Sequence, residues 1–297
     1  MTPRKGRKDT MKAFLCCLWP VLSVFSLATA SYSAQSTITE GEGYSCMGYD
    51  KSRKQTEDEA EVNAKRKASE NASTYIKSET RLKQMQLEKD LIEAYANATV
   101  KILQELEKTW YRDPSSGDCY RIKIKAEVLP DEKAMTRIAQ EKGTADDPAG
   151  PLHVRVWTDR KEYRQGEKIR IYLRGNKPFY ARVAYKDATG NILQLLPNPF
   201  RKDDYFNGGM VYEFPSGNDR FVLEVTPPFG QEQIIVYAGT NPLGEIDLEA
   251  SGSVYEVKTK TEDVGIKTRA VKIKAKEGAK EAGAAEFFEG QALIQTK

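Results

Sequence analysis

The chain has 297 residues, 39% of them hydrophobic and 30% charged, with a formal net charge of +3. That length accommodates two ordinary domains of about 100–200 residues each. The balance excludes a many-span membrane protein, a collagen-like fibre and a wholly disordered tail, and four cysteines are too few for a disulfide-dense mini-scaffold.

Residues 1–30 read as a secretory signal peptide. Arg4, Lys5, Arg7, Lys8 and Lys12 come first. An uncharged stretch from Ala13 to Ala30 follows and ends in the small-x-small site Ala28-Thr29-Ala30. Basic, apolar and small-residue segments in that order form the export pattern. The alternative is an uncleaved anchor helix at the lower edge of spanning length, roughly 17–25 residues, interrupted by Pro20. Met11 offers a second start.

Only Asp9 opposes the five basic side chains of this segment, so residues 31–297 are left at −1. The basic excess leaves with the leader, and no nucleic-acid partner is expected. No transmembrane span is expected after cleavage, and the predicted location is the periplasm or outer envelope. In that oxidising compartment Cys46 and Cys119 are the only remaining cysteines. A disulfide between them is favoured, with two separate buried thiols as the other reading.

Residues 31–133 predict a helix-on-antiparallel-sheet module. Gly41-Glu42-Gly43 leads into a first strand over Tyr44–Tyr49. Ala60, Ala64, Ala68 and Ala72 then recur at four-residue spacing before Ile76, which predicts an amphipathic helix. A second helix is predicted over Leu87, Leu91, Ile92 and Tyr95. From Val100 the period switches to two. Tyr120, Ile122, Ile124, Ala126 and Val128 alternate with charged residues after the turn at Asp113–Asp118, as in a half-buried hairpin. Residues 134–150 read as a linker ending Pro148-Ala149-Gly150.

Residues 151–248 predict an all-β sandwich-like domain. Short alternating runs occur at Leu152–Val156, Ile169–Leu173, Tyr180–Tyr185, Ile192–Leu196, Val211–Phe214, Phe221–Val225 and Ile234–Ala238. Turn signals separate them, as in antiparallel sandwiches. Residues 249–297 form a C-terminal β extension, with strands expected over Thr268–Lys276 and, at an edge, over Ala292–Gln295. The fold class is therefore α+β.

Two resemblances follow from these residues. The order of Gly41–Gly43, the alanine-rich helix, a second helix and a hairpin closing on Ile122–Val128 resembles the N-terminal domain of flagellar assembly protein T and related envelope lipoproteins. That resemblance implies a non-enzymatic envelope assembly part. The second half carries Asp159, Tyr163, Gly166 and Glu167, Phe179-Tyr180, and Asp187 to Gly190. It continues with Leu195-Leu196-Pro197-Asn198, Gly208-Gly209, Phe214-Pro215 and Pro227 to Gly230. It resembles the family of domain of unknown function 4384, which implies a β-rich accessory domain and no catalytic residues.

The search for chemistry is otherwise negative. His153 is the sole histidine and falls in strand alternation, so a histidine-rich metal site and a His-Glu-x-x-His arrangement are excluded. The loop carboxylates Asp146-Asp147 and Asp203-Asp204 are the remaining route to a hydrolase, and a solvated loop is their simpler reading. No cofactor is expected.

An envelope protein partner is the leading expectation. Leu196, Pro197, Asn198, Tyr205 and Phe206 form the candidate interaction loop. A cell-wall glycan is the alternative, with Trp157, Tyr180 and Tyr185 as candidate aromatic surface residues. Alkylation of the purified oxidised chain should label neither Cys46 nor Cys119; mass addition at both would remove the bridge.

Overall fold

Ser52 opens the first helix with a reciprocal capping box. Its hydroxyl accepts the Gln55 amide at 3.2 Å, and the Gln55 side-chain oxygen accepts the Ser52 amide at 2.8 Å. Two otherwise orphan helix donors are satisfied this way. The computed structural model describes residues 33–79, 85–135, 146–251, 254–269 and 284–297. The predicted signal peptide and most of the strand predicted over Thr268–Lys276 lie outside the described residues.

Helix α1 (Arg53–Glu79) lies on strand β1 (Ser33–Cys46). Ala60, Ala64, Ala68 and Ala72 are fully buried there. Gly41 and Gly43 are their counterparts on the strand. A Cβ on Gly41 would fall 2.2 Å from the Ala64 carbonyl oxygen, and one on Gly43 would fall 2.2 Å from that of Ala60. Glycine against alanine removes the side-chain layer, so helix and strand meet nearly backbone to backbone.

Helix α2 (Met85–Ala96) adds buried Leu91, Ala94 and Tyr95 to this core. Strands β2 (Thr99–Asp113) and β3 (Gly117–Leu129) form the predicted hairpin, and Ile122, Ile124, Ala126 and Val128 face the helices. The ladder sets Cys46 directly opposite Cys119. The two are joined as a disulfide across a sequence separation of 73. Closing a loop of that size stabilises the fold by on the order of 4 kcal/mol in the chain-entropy account.

The second half supplies eleven strands among the described residues. They are β4 (Val154–Thr158), β5 (Glu162–Tyr163), β6 (Ile171–Gly175), β7 (Phe179–Lys186), β8 (Ile192–Leu196) and β9 (Tyr205–Phe206), followed by β10 (Tyr212–Phe214), β11 (Gln231–Gly239), β12 (Leu248–Ser251), β13 (Val254–Val257) and β14 (Ala285–Thr296). The main sheet runs β12-β13-β8-β7-β11-β14-β1-β3-β2, with β9 beside β7 and β5 beside β14. A second sheet runs β10-β6-β4. Phe179, Val183, Ile234, Val236 and Phe288 of the main sheet pack against Val154, Ile171, Leu173 and Phe214 of the second. This is the expected sandwich within an α+β chain.

Three local expectations are corrected. The C-terminal strand is not an edge. β14 pairs with β1 on one side and β11 on the other, with Phe288 in the inter-sheet core and Phe287 in the core of the opposite face. Burial on both faces breaks the simple alternation that would have marked it. Next, Thr268 and Arg269 end a helix, α3 (Thr261–Arg269), whose Val264 covers that opposite face. Finally, Phe221–Val225 forms only a single bridge, Lys168 to Glu224, rather than a strand.

Both ends of the predicted linker are tied down. Ala134 and Met135 pack with the helical core. Asn176, 4% exposed, holds the other end. Its amide nitrogen donates to the Asp147 and Pro151 carbonyls at 2.8 and 2.9 Å, and its oxygen accepts the His153 amide at 2.9 Å.

Gly43→Ala should lower stability by about 1–3 kcal/mol, the usual cost of overpacking. Gly217, where a Cβ meets nothing within 4 Å, is the control, and Gly217→Ala should stay within about 0.5 kcal/mol. Urea denaturation of both variants checks this.

Candidate functional site

The segment after β8 is built by side-chain-to-backbone bonds rather than by a ladder. Asn198 organises it. Its amide nitrogen donates to the Leu195 carbonyl at 2.7 Å, and its oxygen accepts the Phe200 and Arg201 amides at 2.8 Å each. This tight loop turns Phe200 outward, where it is 46% exposed and stacks on Phe221 with centroids 6.2 Å apart. Arg201 folds back onto Asp219 at 3.2 Å, and Asp219 also accepts the Ser216 amide at 2.6 Å.

Further along, a Cβ on Gly208 would fall 2.5 Å from the Lys177 backbone, and Gly209 holds φ +77°. That turn delivers Met210 and Val211 to the surface, each 55% exposed. An open groove of about 520 Å³ results, lined by Phe200, Val211, Tyr212, Glu213, Ser216 and Asn218, with Arg201 and Asp219 among its polar groups. It runs beside β10, an edge strand of the second sheet among the described residues.

The residues predicted for this loop divide. Leu196, Asn198 and Phe206 are 0%, 5% and 2% exposed, so they shape the loop and do not form a contact surface. Pro197 is half-buried, and its carbonyl accepts a hydrogen bond from the Gln194 side-chain Nε2 at 2.7 Å. Tyr205 is half exposed, edge-on to Tyr180 at 5.1 Å. Sequence reasoning missed Phe200, Met210 and Val211. Their signal was apolar residues standing between turn formers, in Asn-Pro-Phe and Gly-Gly-Met-Val.

The three candidate aromatic residues do not form one surface. Trp157 stands on the outer face of the second sheet, stacked on Tyr172 at 5.6 Å and 17°, so each ring covers a face of the other. Tyr180 alternates with core-facing Phe179 and Ala181 and points to the opposite side of the main sheet. Tyr185 turns inward, and its hydroxyl donates to Glu232. Burial raises the Tyr185 hydroxyl well above the usual phenol range, and the Glu232 partner adds to this.

The carboxylates of Asp146 and Asp147 serve local structure. Asp146 lies 3.5 Å from Arg174, and Asp147 accepts the Ala149 amide at 2.9 Å. Asp203 lines the groove, and the Asp204 carbonyl accepts the Ala181 amide. Among the described residues no group of three His, Cys, Asp or Glu could hold a metal ion. No described helix is long and apolar enough to cross a membrane.

His153 is half-buried, edge-on to Phe288 with centroids 5.0 Å apart. Burial lowers its pKa, and Arg155 lowers it further. A base whose folded pKa is depressed stays neutral in the native state while the unfolded state takes up a proton. Stability is therefore lost as pH falls through the unfolded value of about 6.5. Because there is one histidine, imidazole resonances report it alone. Their titration midpoint should lie below that of a free imidazole, and His153→Phe should flatten stability between the two values.

The segment that builds the groove also lies within the region recognised by comparison. No curated protein and no solved structure matches the chain. Residues 162–242, from β5 to just past β11, match the family described as "Domain of unknown function (DUF4384)".

Proposed function

We propose that the chain is an exported, non-enzymatic protein of the bacterial cell envelope whose β-rich half docks a protein partner. The observation that carries this is the groove flanked by exposed Phe200 and Val211 beside β10. Adjacent exposed apolar side chains with a polar rim are characteristic of interaction sites. An edge strand adds backbone groups to which an extended segment can pair. Arg201, Lys202, Asp203 and Glu213 supply the polar rim.

The envelope location rests on other support. The export pattern of residues 1–30 and the Cys46–Cys119 bridge both fit an oxidising compartment. The likeness of residues 31–133 to the N-terminal domain of flagellar assembly protein T gives the helical half the role of an assembly part. In this reading that half attaches to an envelope structure and the sandwich presents the groove.

A photo-crosslinking residue at Met210, introduced in the native host, should give a defined protein adduct in the envelope fraction. Val211→Asp should abolish that adduct while changing stability by no more than about 0.5 kcal/mol, as expected of a surface site. The same probe at Tyr49, fully exposed and outside the groove, should not give it. No adduct at Met210, or the same adduct at Tyr49, rejects the reading.

A further inference from the structure

On the reading that the β-rich half docks a protein partner, we propose that the outer face of the second sheet receives an acidic segment of that partner. Successive side chains of a strand alternate between faces. Val154, Ile171, Leu173 and Phe214 turn into the core between the sheets. Arg155 and Trp157 of β4, Tyr172 and Arg174 of β6, Arg170 just before β6, and Glu213 of β10 therefore turn outward. Arg155 and Arg170 are exposed, and Arg174 is half-buried.

The register of this face is unfavourable as it stands. The ladder sets Arg155 directly opposite Arg174, beside the Trp157–Tyr172 pair. Like charges directly opposed across two strands are destabilising. Among the described residues Arg155 has no carboxylate partner. Arg174 has only Asp146, at 3.5 Å, and Arg170 has only Glu213, at 3.6 Å. Both distances exceed the roughly 2.7–2.9 Å of a charge-assisted hydrogen bond. Three guanidinium groups thus present unfilled donor forks on one open face. A carboxylate between Arg155 and Arg174 accepts from both and offsets their repulsion, and the planar fork matches it in bidentate geometry.

Two observations select a polypeptide as the source of the carboxylate. A sugar ring would need a free aromatic face to stack on. Trp157 already stacks on Tyr172, and the Arg155 guanidinium lies over the same ring, 5.8 Å from its centroid. The face also continues the groove, because Glu213 lines the groove and lies opposite Tyr172 in the ladder. From β10 to β4 is two strand spacings, about 10 Å, so a chain seated in the groove spans the arginines with three or four extended residues.

Titration of the full chain with hexaglutamate, hexalysine and hexagalacturonate, followed by the indole resonances, tests the proposal. Hexaglutamate should bind saturably and shift Trp157 but not Trp110, and added salt should weaken it. Hexalysine should not bind, and hexagalacturonate should bind more weakly than hexaglutamate. Arg155→Thr should weaken hexaglutamate about tenfold without lowering the urea midpoint, since it removes a like-charge pair. Arg174→Thr should weaken it independently. Lys54→Gln, on exposed α1, should leave affinity unchanged.

Hexagalacturonate bound as tightly as hexaglutamate, shifts remote from Trp157, or unaltered affinity in Arg155→Thr would each overturn the assignment. In the native host, the Met210 adduct should weaken in the variant carrying both Arg155→Thr and Arg174→Thr. An undiminished adduct there overturns the acidic-segment assignment and leaves the groove reading standing, whereas the groove reading fails on the wild-type adduct alone.

Discussion

One strand joins the two halves of the sheet. β14 pairs with β1 through residues 285–290 and with β11 through residues 287–295. The last strand of the chain thus lies between the helix-covered sheet and the sandwich. Neither half has its full set of strand partners until the C-terminus is in place. Such pairing closes very long loops, and folds dominated by it form slowly. The charges on β14 point to both faces. Glu286 meets Lys177 at 3.0 Å and accepts the Leu152 amide on the sandwich side. Glu289 meets Arg269 at 2.8 Å on the other side. Arg269 also lies 2.7 Å from Glu127 of β3, so this cluster ties α3 across the seam. Removing one member of a buried pair costs about 3–5 kcal/mol because the other charge is left without compensation.

The helical half solves a different problem. Beyond Ile38, β1 has β3 on one side and, among the described residues, no strand on the other, since its pairing with β14 stops at Ala285. Two helix side chains meet the strand there. Asn71 donates to the Glu40 carbonyl at 2.9 Å, and Asn63 donates to the Tyr44 carbonyl at 3.0 Å. These contacts need the helix axis close to the strand, and the Gly41–Gly43 pair permits that approach. The alanine stripe sets the distance, the asparagines set the register, and β1 is protected from foreign pairing. The disulfide fixes the far end of the same strand.

Elements with one wet face were legible in the sequence. The alanine period of α1 and the alternation of Tyr120–Val128 each report a single buried side, and both predictions match the structure except at Glu127, which Arg269 covers on the other face. β14 was misplaced because both of its faces are buried. α3 was missed because nine residues with one glycine and mixed charge give little helical signal. At the candidate site, turn chemistry located the loop but not its exposed residues. Asn198 looked like a contact residue in a Leu-Pro-Asn turn, yet its side chain makes three bonds to the loop backbone. A residue that organises a turn and one that uses it to reach solvent share the same local sequence. Distinguishing them requires knowing where the turn sits on the sheet.

That distinction explains why the groove and the pocket beneath residues 222–228 both lie on irregular segments around and after β9 and β10. The groove uses residues 200–219, and the cavity mouth uses residues 222–228. Neither stretch is held by a long ladder. The first is fixed by Asn198 and by Asp219 on Arg201, and the second by backbone bonds from Ile169 to Leu223 and between Val225 and Glu167. Local bonds of this kind hold a loop in shape while leaving its outer side chains free of packing duties. The rigidity beneath comes from β7, β11 and β14, whose core side chains fill the space between the sheets. A scaffold closed at its centre by β14 can carry such loops without depending on them for its core. It follows that substitutions at Val211 or Val222 should be tolerated by the fold, whereas those at Asn198 should disturb the groove by unmaking its shape.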